Sequence, residues 1–536
     1  MKSQQFSPPR APRRGARWAA ILAAAATLAL SACTGTSSTS PSESSEGGTL
    51  TIGVTQDVGK FDPIYSNLPT YNQFAYATPI YQTADGEFTP YLATEWEFSE
   101  DNTSITLTLR EDAKFSDGTD LDAQAVVDSM NRFLTTPSSK LQQYGTQIAA
   151  VEATGDYAFT ITFKQAVPEK YALNLLIQDS AFAMITAPAA TEDPESIETT
   201  TNGAGPYVLD PDQSTSGTSY TYVRNPNYFA QDTLTYDTIV IQPYADASSL
   251  ASAVTSGQVT YAVSLTPSLT EQAESSGLQV SEGALGVGES GTAMLVFGNR
   301  TEGPLADERV RQAIAYAIPR EDINTSLYNG YATATSSATP EGVQGYTGED
   351  PYAYDVDKAK ELLAEAGYPD GFDLTVTSPS AMDPGNLLGQ AVQGALQDIG
   401  INVTLERNDD PFTALMGKIL GEGGFEAYIY NASGESIFGY VTGSMTGVGP
   451  VNPNAEELPA SVSDALAAAV AAPADQQDGL LEDVTRAVDE LQWSVTLASV
   501  PRLTVIQPGV QGVPSNYLTP EPNPVSPNEG ESWSGN

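Results

Sequence analysis

The chain has 536 residues, 40% of them apolar and 17% charged, and its 67 acidic residues against 23 basic ones leave a formal charge of −44. That surplus repels nucleic acid phosphates and anionic lipid head groups, which excludes DNA binding and membrane attachment by surface charge; its plain consequence is solubility. Histidine is absent and cysteine occurs once, at Cys33, which excludes Ser-His-Asp and Cys-His catalysis, histidine-containing zinc sites, thiolate metal sites and internal disulfides. No metal or cofactor is expected, and an enzyme built from this chain would depend on carboxylates, lysine, serine or tyrosine.

The first 32 residues carry Lys2, Arg10, Arg13, Arg14 and Arg17 and no acid, so only 18 basic residues face the 67 acidic ones in the remainder. The apolar stretch from Trp18 to Leu30 follows, then Ser31-Ala32-Cys33. It is shorter than the roughly 18 to 20 residues that cross a bilayer as a helix. Basic start, short apolar run and small residues before a cysteine are the layout of a bacterial export signal with a lipoprotein cleavage site. Cleavage before Cys33 would leave an acylated thiol that tethers the chain to the outer face of the cytoplasmic membrane. Arg13-Arg14 leaves the export route, general or twin-arginine, open. Thr34 to Gly48 is Ser, Thr, Gly, Pro and Glu without apolar periodicity, a flexible tether.

The fold is expected to start at Thr49, with a strand to Thr55 in which Leu50, Ile52 and Val54 alternate with smaller residues. The same alternation predicts strands over 104–110, with Ile105, Leu107 and Leu109, and over 157–164, with Phe159, Ile161 and Phe163. Asp122 reads as the N-cap of a helix carrying Val126, Val127, Met130 and Phe133 on one face. Asp117, Asp120 and Asp122 cluster like calcium ligands, yet the glycine and terminal glutamate of an EF-hand loop are misplaced, so a turn and a cap explain them better. Gly286 to Gly291 fits GxGxxG, but Thr292 to Phe297 after it reads as a strand where a dinucleotide site needs a helix start. Val310, Ala313, Ile314, Ala317 and Ile318 form one apolar stripe after Asp307, and Arg309 and Arg311 are expected in solvated salt bridges on the other side. Lys358 to Ala366 predicts a helix closed by Gly367. From Pro508 the residues are expected to close the fold briefly and then fray. Strands and helices interleave throughout, so the class is α/β, with two or three domains for this length.

Three segments carry the most specific information. The first is Leu92-Ala93-Thr94-Glu95-Trp96-Glu97-Phe98, with the Asp101-Asn102 turn and Lys114-Phe115-Ser116-Asp117-Gly118-Thr119 behind it. The second is Gly203-Ala204-Gly205-Pro206-Tyr207, followed by Arg224-Asn225-Pro226-Asn227-Tyr228-Phe229. The third runs from Pro304 to Ile318 and continues in Lys358-Ala359-Lys360-Glu361-Leu362-Leu363 and Gly367-Tyr368. In this order they resemble the extracellular solute-binding proteins of peptide, nickel and oligosaccharide ABC importers, the dipeptide- and oligopeptide-binding family, from about Thr49 to about Val505. The resemblance implies a two-lobed periplasmic-binding-protein type II fold with an extra subdomain in lobe I. Lobe I would span 49–290, with the subdomain at about 65–200, lobe II 291–503, and 504–536 would return to lobe I. It also places the glycines around Pro206 near the inter-lobe crossover. The function implied is that of a monomeric receptor, not an enzyme, which closes on a peptide or similar polar solute and delivers it to a permease.

Peptide-binding members of that family carry an aspartate, in a Trp-containing Gly-Asp-x-x-Asp-Pro-like segment, that neutralises the peptide amine. The corresponding stretch here, Phe425 to Ser436, has no Trp and no Asp-Pro. Its candidates for ligand binding are Tyr430, Asn431, Ser433 and Glu435, the last as substitute carboxylate. The segment from Pro379 to Gln390, where an arginine for a peptide carboxylate would be sought, contains no basic residue. A longer peptide, a glycan or another polar solute therefore stays open. Two other classes remain: a surface glycosidase using two of the carboxylates as acid and nucleophile or base, although no spacing pairs any two of them, and a purely structural cell-wall protein.

Overall fold

The computed structural model describes residues 47–138, 145–283, 291–383, 385–422, 425–432, 436–516, 518 and 522–535. Cys33, the expected export signal, nearly all of the expected tether, Ser433, Glu435 and most of the GxGxxG match lie outside them. The strands, in chain order, are β1 (Thr49–Val54), β2 (Ile80–Gln82), β3 (Phe88–Pro90), β4 (Ala93–Phe98), β5 (Ser104–Leu109), β6 (Ile148–Gly155), β7 (Ala158–Phe163), β8 (Tyr207–Leu209) and β9 (Tyr220–Arg224). They continue with β10 (Thr238–Pro243), β11 (Tyr261–Val263), β12 (Gln279–Gly283), β13 (Gly291–Phe297), β14 (Asp373–Pro379), β15 (Asn402–Asn408), β16 (Ala427–Ala432), β17 (Ser494–Val500) and β18 (Arg502–Ile506).

Two large sheets divide the strands. A seven-stranded sheet has the order β12-β18-β11-β1-β10-β9-β8, and a five-stranded sheet the order β15-β14-β16-β13-β17. The first takes its strands from 49–283 and 502–506, the second from 291–500. The chain therefore passes between them twice, after Gly283 and after Val500. β4-β5-β7-β6 form a separate four-stranded sheet, and β2 pairs with β3.

Alternation explains the second sheet. Met294, Val296, Tyr428 and Ala432 point into a core shared with the first sheet, whereas Ala293, Leu295, Phe297, Ala427 and Ile429 pack into a separate core. A strand buried on both faces has no polar side to show, which is why β13 is apolar without a break from Ala293 to Phe297.

The expected strands and helices form within a residue or two of their sequence positions. Asp122 Oδ1 accepts from the Ala125 amide and caps helix Ala123–Thr135; Asp307 caps Glu308–Ala317, and Val356–Glu365 ends beside Gly367 at φ +92°. The segments that define the resemblance hold one another: the Ser116 amide donates to Gly203 O, Asn202 Nδ2 to Asp117 Oδ2, and Asn227 Nδ2 to Ser116 O.

Three expectations are corrected. Arg311 is not solvated: at 5% exposure its Nε donates to Leu491 O and Gln492 O and its Nη1 to Leu305 O. It satisfies the carbonyls left open at the end of helix Ala474–Leu491, a role to which a buried guanidinium is well suited. Arg309 alone makes the surface pair, with Asp307 at 2.6 Å.

The segment after Pro508 does not fray. Trp533 is 1% exposed, its ring stands edge-on to Tyr261 at 5.3 Å, and Gln511 bridges Ser534. Thr235 Oγ1 donates to Trp533 O and Tyr236 OH to Gly535 O. One large apolar side chain and main-chain pairing hold a tail whose own sequence has no periodicity. Lastly, the glycines before Pro206 lead into β8, at the opposite end of the sheet order from the crossovers. They serve close backbone approach: an added Cβ at Gly205 would lie 2.6 Å from Phe74 O and 2.7 Å from Ala75 O.

Candidate functional site

In the first sheet β1 runs parallel to β10 and β11, while β18 is antiparallel to β11 and to β12. The ends at Val54, Pro243, Val263 and Gly283 and the start at Arg502 therefore share one edge. In the second sheet β14 is parallel to β15 and to β16, and β13 is antiparallel to β16 and β17. Its carboxyl ends at Pro379, Asn408, Ala432 and Val500 likewise share an edge with the start of β13. Both connections thus join carboxyl edge to carboxyl edge.

The order of the second sheet reverses at β14. Helix Leu387–Asp398 carries the chain from β14 to β15 on one side, and helix Phe412–Glu422 returns it to β16 on the other. Such a reversal at the carboxyl ends is where α/β sheets as a rule bind ligands.

The second-sheet edge is built around Asp383. This carboxylate, 3% exposed, accepts from Ser378 Oγ at 2.7 Å, the Leu388 amide at 3.0 Å and the Gly389 amide at 2.8 Å. It takes up two of the free donors at the start of helix Leu387–Asp398, the Leu388 and Gly389 amides. Asn431 Nδ2 donates to Met382 O at 3.0 Å and fastens this turn to β16. Tyr430 is adjacent in the chain and therefore on the opposite face, the side of Tyr428 and Ala432. The structure does not bring Tyr430 and Asn431 together on one face. Ser433 and Glu435 lie outside the described residues.

A basic residue absent from 379–390 stands at the crossing instead. Arg502 is the first residue of β18, 6% exposed, opposite Gly283 in the register. In the sequence the run from Arg502 to Ile506 looks like any buried strand, with nothing to mark the arginine. On the first-sheet edge, the segment after β1 is held by Tyr220, whose hydroxyl donates to Asp57 Oδ1 at 2.5 Å and accepts from the Gly217 amide. Burial first, then the Asp57 carboxylate, raises the Tyr220 phenol above its ordinary pKa.

The halves meet in two further zones. Asn102 Nδ2 donates to Val470 O and Ala472 O, the Glu169 amide to Gln477 Oε1, and the Tyr171 ring stands edge-on to Phe438 at 4.6 Å. On another side Tyr331 OH donates to Glu274 at 2.8 Å and Asn329 Nδ2 to Glu271 at 2.6 Å.

Residues 87–442 match the family described as bacterial extracellular solute-binding proteins, family 5 Middle. The chain belongs to this family. A relative is the glutathione-binding protein GsiB of Salmonella paratyphi A, 31% identical over 323 residues, which cover 59% of this chain and 60% of that protein. The matched stretch is therefore less than two thirds of the relative's length. Among solved structures, NikA of Brucella suis in complex with Fe(III)-EDTA is 22% identical at a TM-score of 0.73, covering 91% of this chain and 100% of that one. DppA of Helicobacter pylori in complex with peptide STSA is 22% identical at a TM-score of 0.69, covering 91% and 98%. The fold is the two-lobed periplasmic-binding-protein type II fold, and the family is one of binding proteins. No helix among the described residues is long and apolar enough to cross a membrane.

Proposed function

We propose that the protein is the solute-binding receptor of an ABC importer, capturing a peptide or similar polar solute between its lobes and delivering it to a membrane permease. One observation carries this reading: the carboxyl edges of both sheets, the order reversal at β14 and both connections between the sheets fall on the same edges. A solute seated there touches both halves, so its binding energy favours the arrangement in which the halves are closed over it. Lobe I is taken as 49–290, with its subdomain at about 65–200, and lobe II as 291–503, with 504–536 returning to lobe I. Tyr430, Ser433 and Glu435 supply the lobe II wall, and Asn431 holds the neighbouring turn. The receptor works as a monomer without catalysis, held by lipid on Cys33 at the outer face of the cytoplasmic membrane. Nothing in the geometry favours a glycosidase.

The test is mass spectrometry of solute released from protein purified natively, followed by fluorescence titration with the solute found. Saturable binding without turnover, with a fall in radius of gyration on binding, is expected. Peptide, glycan and amine panels that all fail to bind would refute the reading.

A further inference from the structure

The two halves of the fold are both strongly acidic. Residues 49–290 and 504–536 carry 34 acidic side chains against 8 basic ones, and residues 291–503 carry 31 against 10. Like charge on two halves opposes their closing, the more so where salt is low. The contacts that join the halves must outweigh that repulsion.

Beside the second crossing the contact does without ion pairs. Helix Pro267–Ser275 packs on β18 and helix Arg320–Tyr328 on β17, the strands on either side of Pro501. The donors to Glu274 and Glu271 there are the Tyr331 hydroxyl and the Asn329 amide, both neutral. The subdomain makes a different contact. Asn102 Nδ2 donates to Val470 O and Ala472 O, which the end of helix Ala460–Ala471 leaves open, and Tyr171 meets Phe438. Beside Tyr171, Lys170 Nζ stands 2.6 Å from Asp478 Oδ2, while Gln344 Nε2 donates to the other oxygen at 3.0 Å. Of the ion pairs between described residues, this one alone joins the two halves.

Two features give the pair its role. Its neighbours are Glu169 on one side and Asp475, in the first turn of helix Ala474–Leu491, on the other. Without the Lys170 cation, carboxylates of both halves would face each other there. The contact also includes no residue of β12, β13, β17 or β18, the strands that lead into and out of the crossings, so turning the halves apart about those strands breaks it. We propose that Lys170 and Asp478 form a clasp that holds the subdomain to lobe II in the closed receptor and makes the parting of the two acidic halves depend on ionic strength. This rests on the receptor reading above. The pair acts on closure and is not a contact of the solute.

The side chains of Lys170 and Asp478 are 54% and 55% exposed. A pair so exposed shifts an equilibrium by up to about fivefold, and reversing one charge turns attraction into repulsion and shifts it further. The test is X-ray scattering from the full chain, freed of solute by dialysis, at about 50 mM and about 500 mM NaCl, where the screening length falls roughly threefold. Wild type is compared with Lys170→Glu, Asp478→Lys and the variant carrying both changes. Each single change should lower the closed-to-open ratio about fivefold or more at low salt, read as a larger radius of gyration. The exchanged pair should restore the wild-type radius, and the differences should narrow at high salt. Single variants with the wild-type radius overturn the proposal. So does failure of the exchanged pair to restore it, which would give either residue a merely structural role, and so does a difference that salt leaves unchanged, which would assign the contact to packing. None of these results involves a solute, so each overturns the clasp and leaves the receptor reading to its own binding panels.

Discussion

Asp489 sits on helix Ala474–Leu491 at 5% exposure, and burial pushes its carboxyl up to about 7. Hydrogen bonds from the Ala338 amide, at 2.7 Å, and from Ser337, with the Arg320 guanidinium nearby, pull the other way without winning. The folded pKa lies above the ordinary 3.8, so the folded state binds the extra proton between those values. The stability carried by the neutral acid is fully present below about pH 3.8 and is lost as pH rises toward 7. At about 1.4 kcal/mol per pH unit, the wild type should lose about 2.7 kcal/mol between pH 5 and pH 8 through this group alone. Asp489→Asn keeps an acceptor for the Ala338 amide and never ionises. Its stability advantage over the wild type should therefore grow by about that amount across the same range. Urea unfolding of both proteins at pH 5 and pH 8 measures it, and comparison within each pH cancels the other carboxylates. An advantage equal at both pH values, or a variant weaker than wild type at pH 8, would refute the reasoning.

Gly205→Ala should cost roughly 1–3 kcal/mol by overpacking, because the new methyl meets the main chain of Phe74 and Ala75 and not a side chain that can swing away; a midpoint equal to wild type in urea would show that the two segments separate freely. Trp533→Ala should cost roughly 3–5 kcal/mol and release 522–535 to proteolysis; an unchanged cleavage pattern would mean that main-chain pairing alone retains the tail. Cys33→Ser, expressed in the native host, should leave the protein in the culture medium or soluble fraction, where the wild type sediments with membranes; equal partition of the two would remove the lipid tether.

Much of this protein was legible in one dimension because its signals are local. Strand alternation at Leu50, Ile52 and Val54, the caps at Asp122 and Asp307 and the ordered segments that mark the family all depend on neighbours within a few residues. The chain by itself thus determined the α/β class, the family and, through its single cysteine and missing histidines, the chemistries closed to it. What it left undecided depends on partners hundreds of residues away. Arg311 is buried because the end of helix Ala474–Leu491 presents open carbonyls to it, and the tail is ordered because Tyr261 and Thr235 receive Trp533. Tyr430 and Asn431 part company because a strand turns adjacent residues to opposite faces. The place of Arg502, opposite Gly283 where the chain crosses between the sheets, exists only because strands hundreds of residues apart pair. A site assembled from the ends of strands distant in the chain leaves no short-range pattern, so tertiary structure alone could place it.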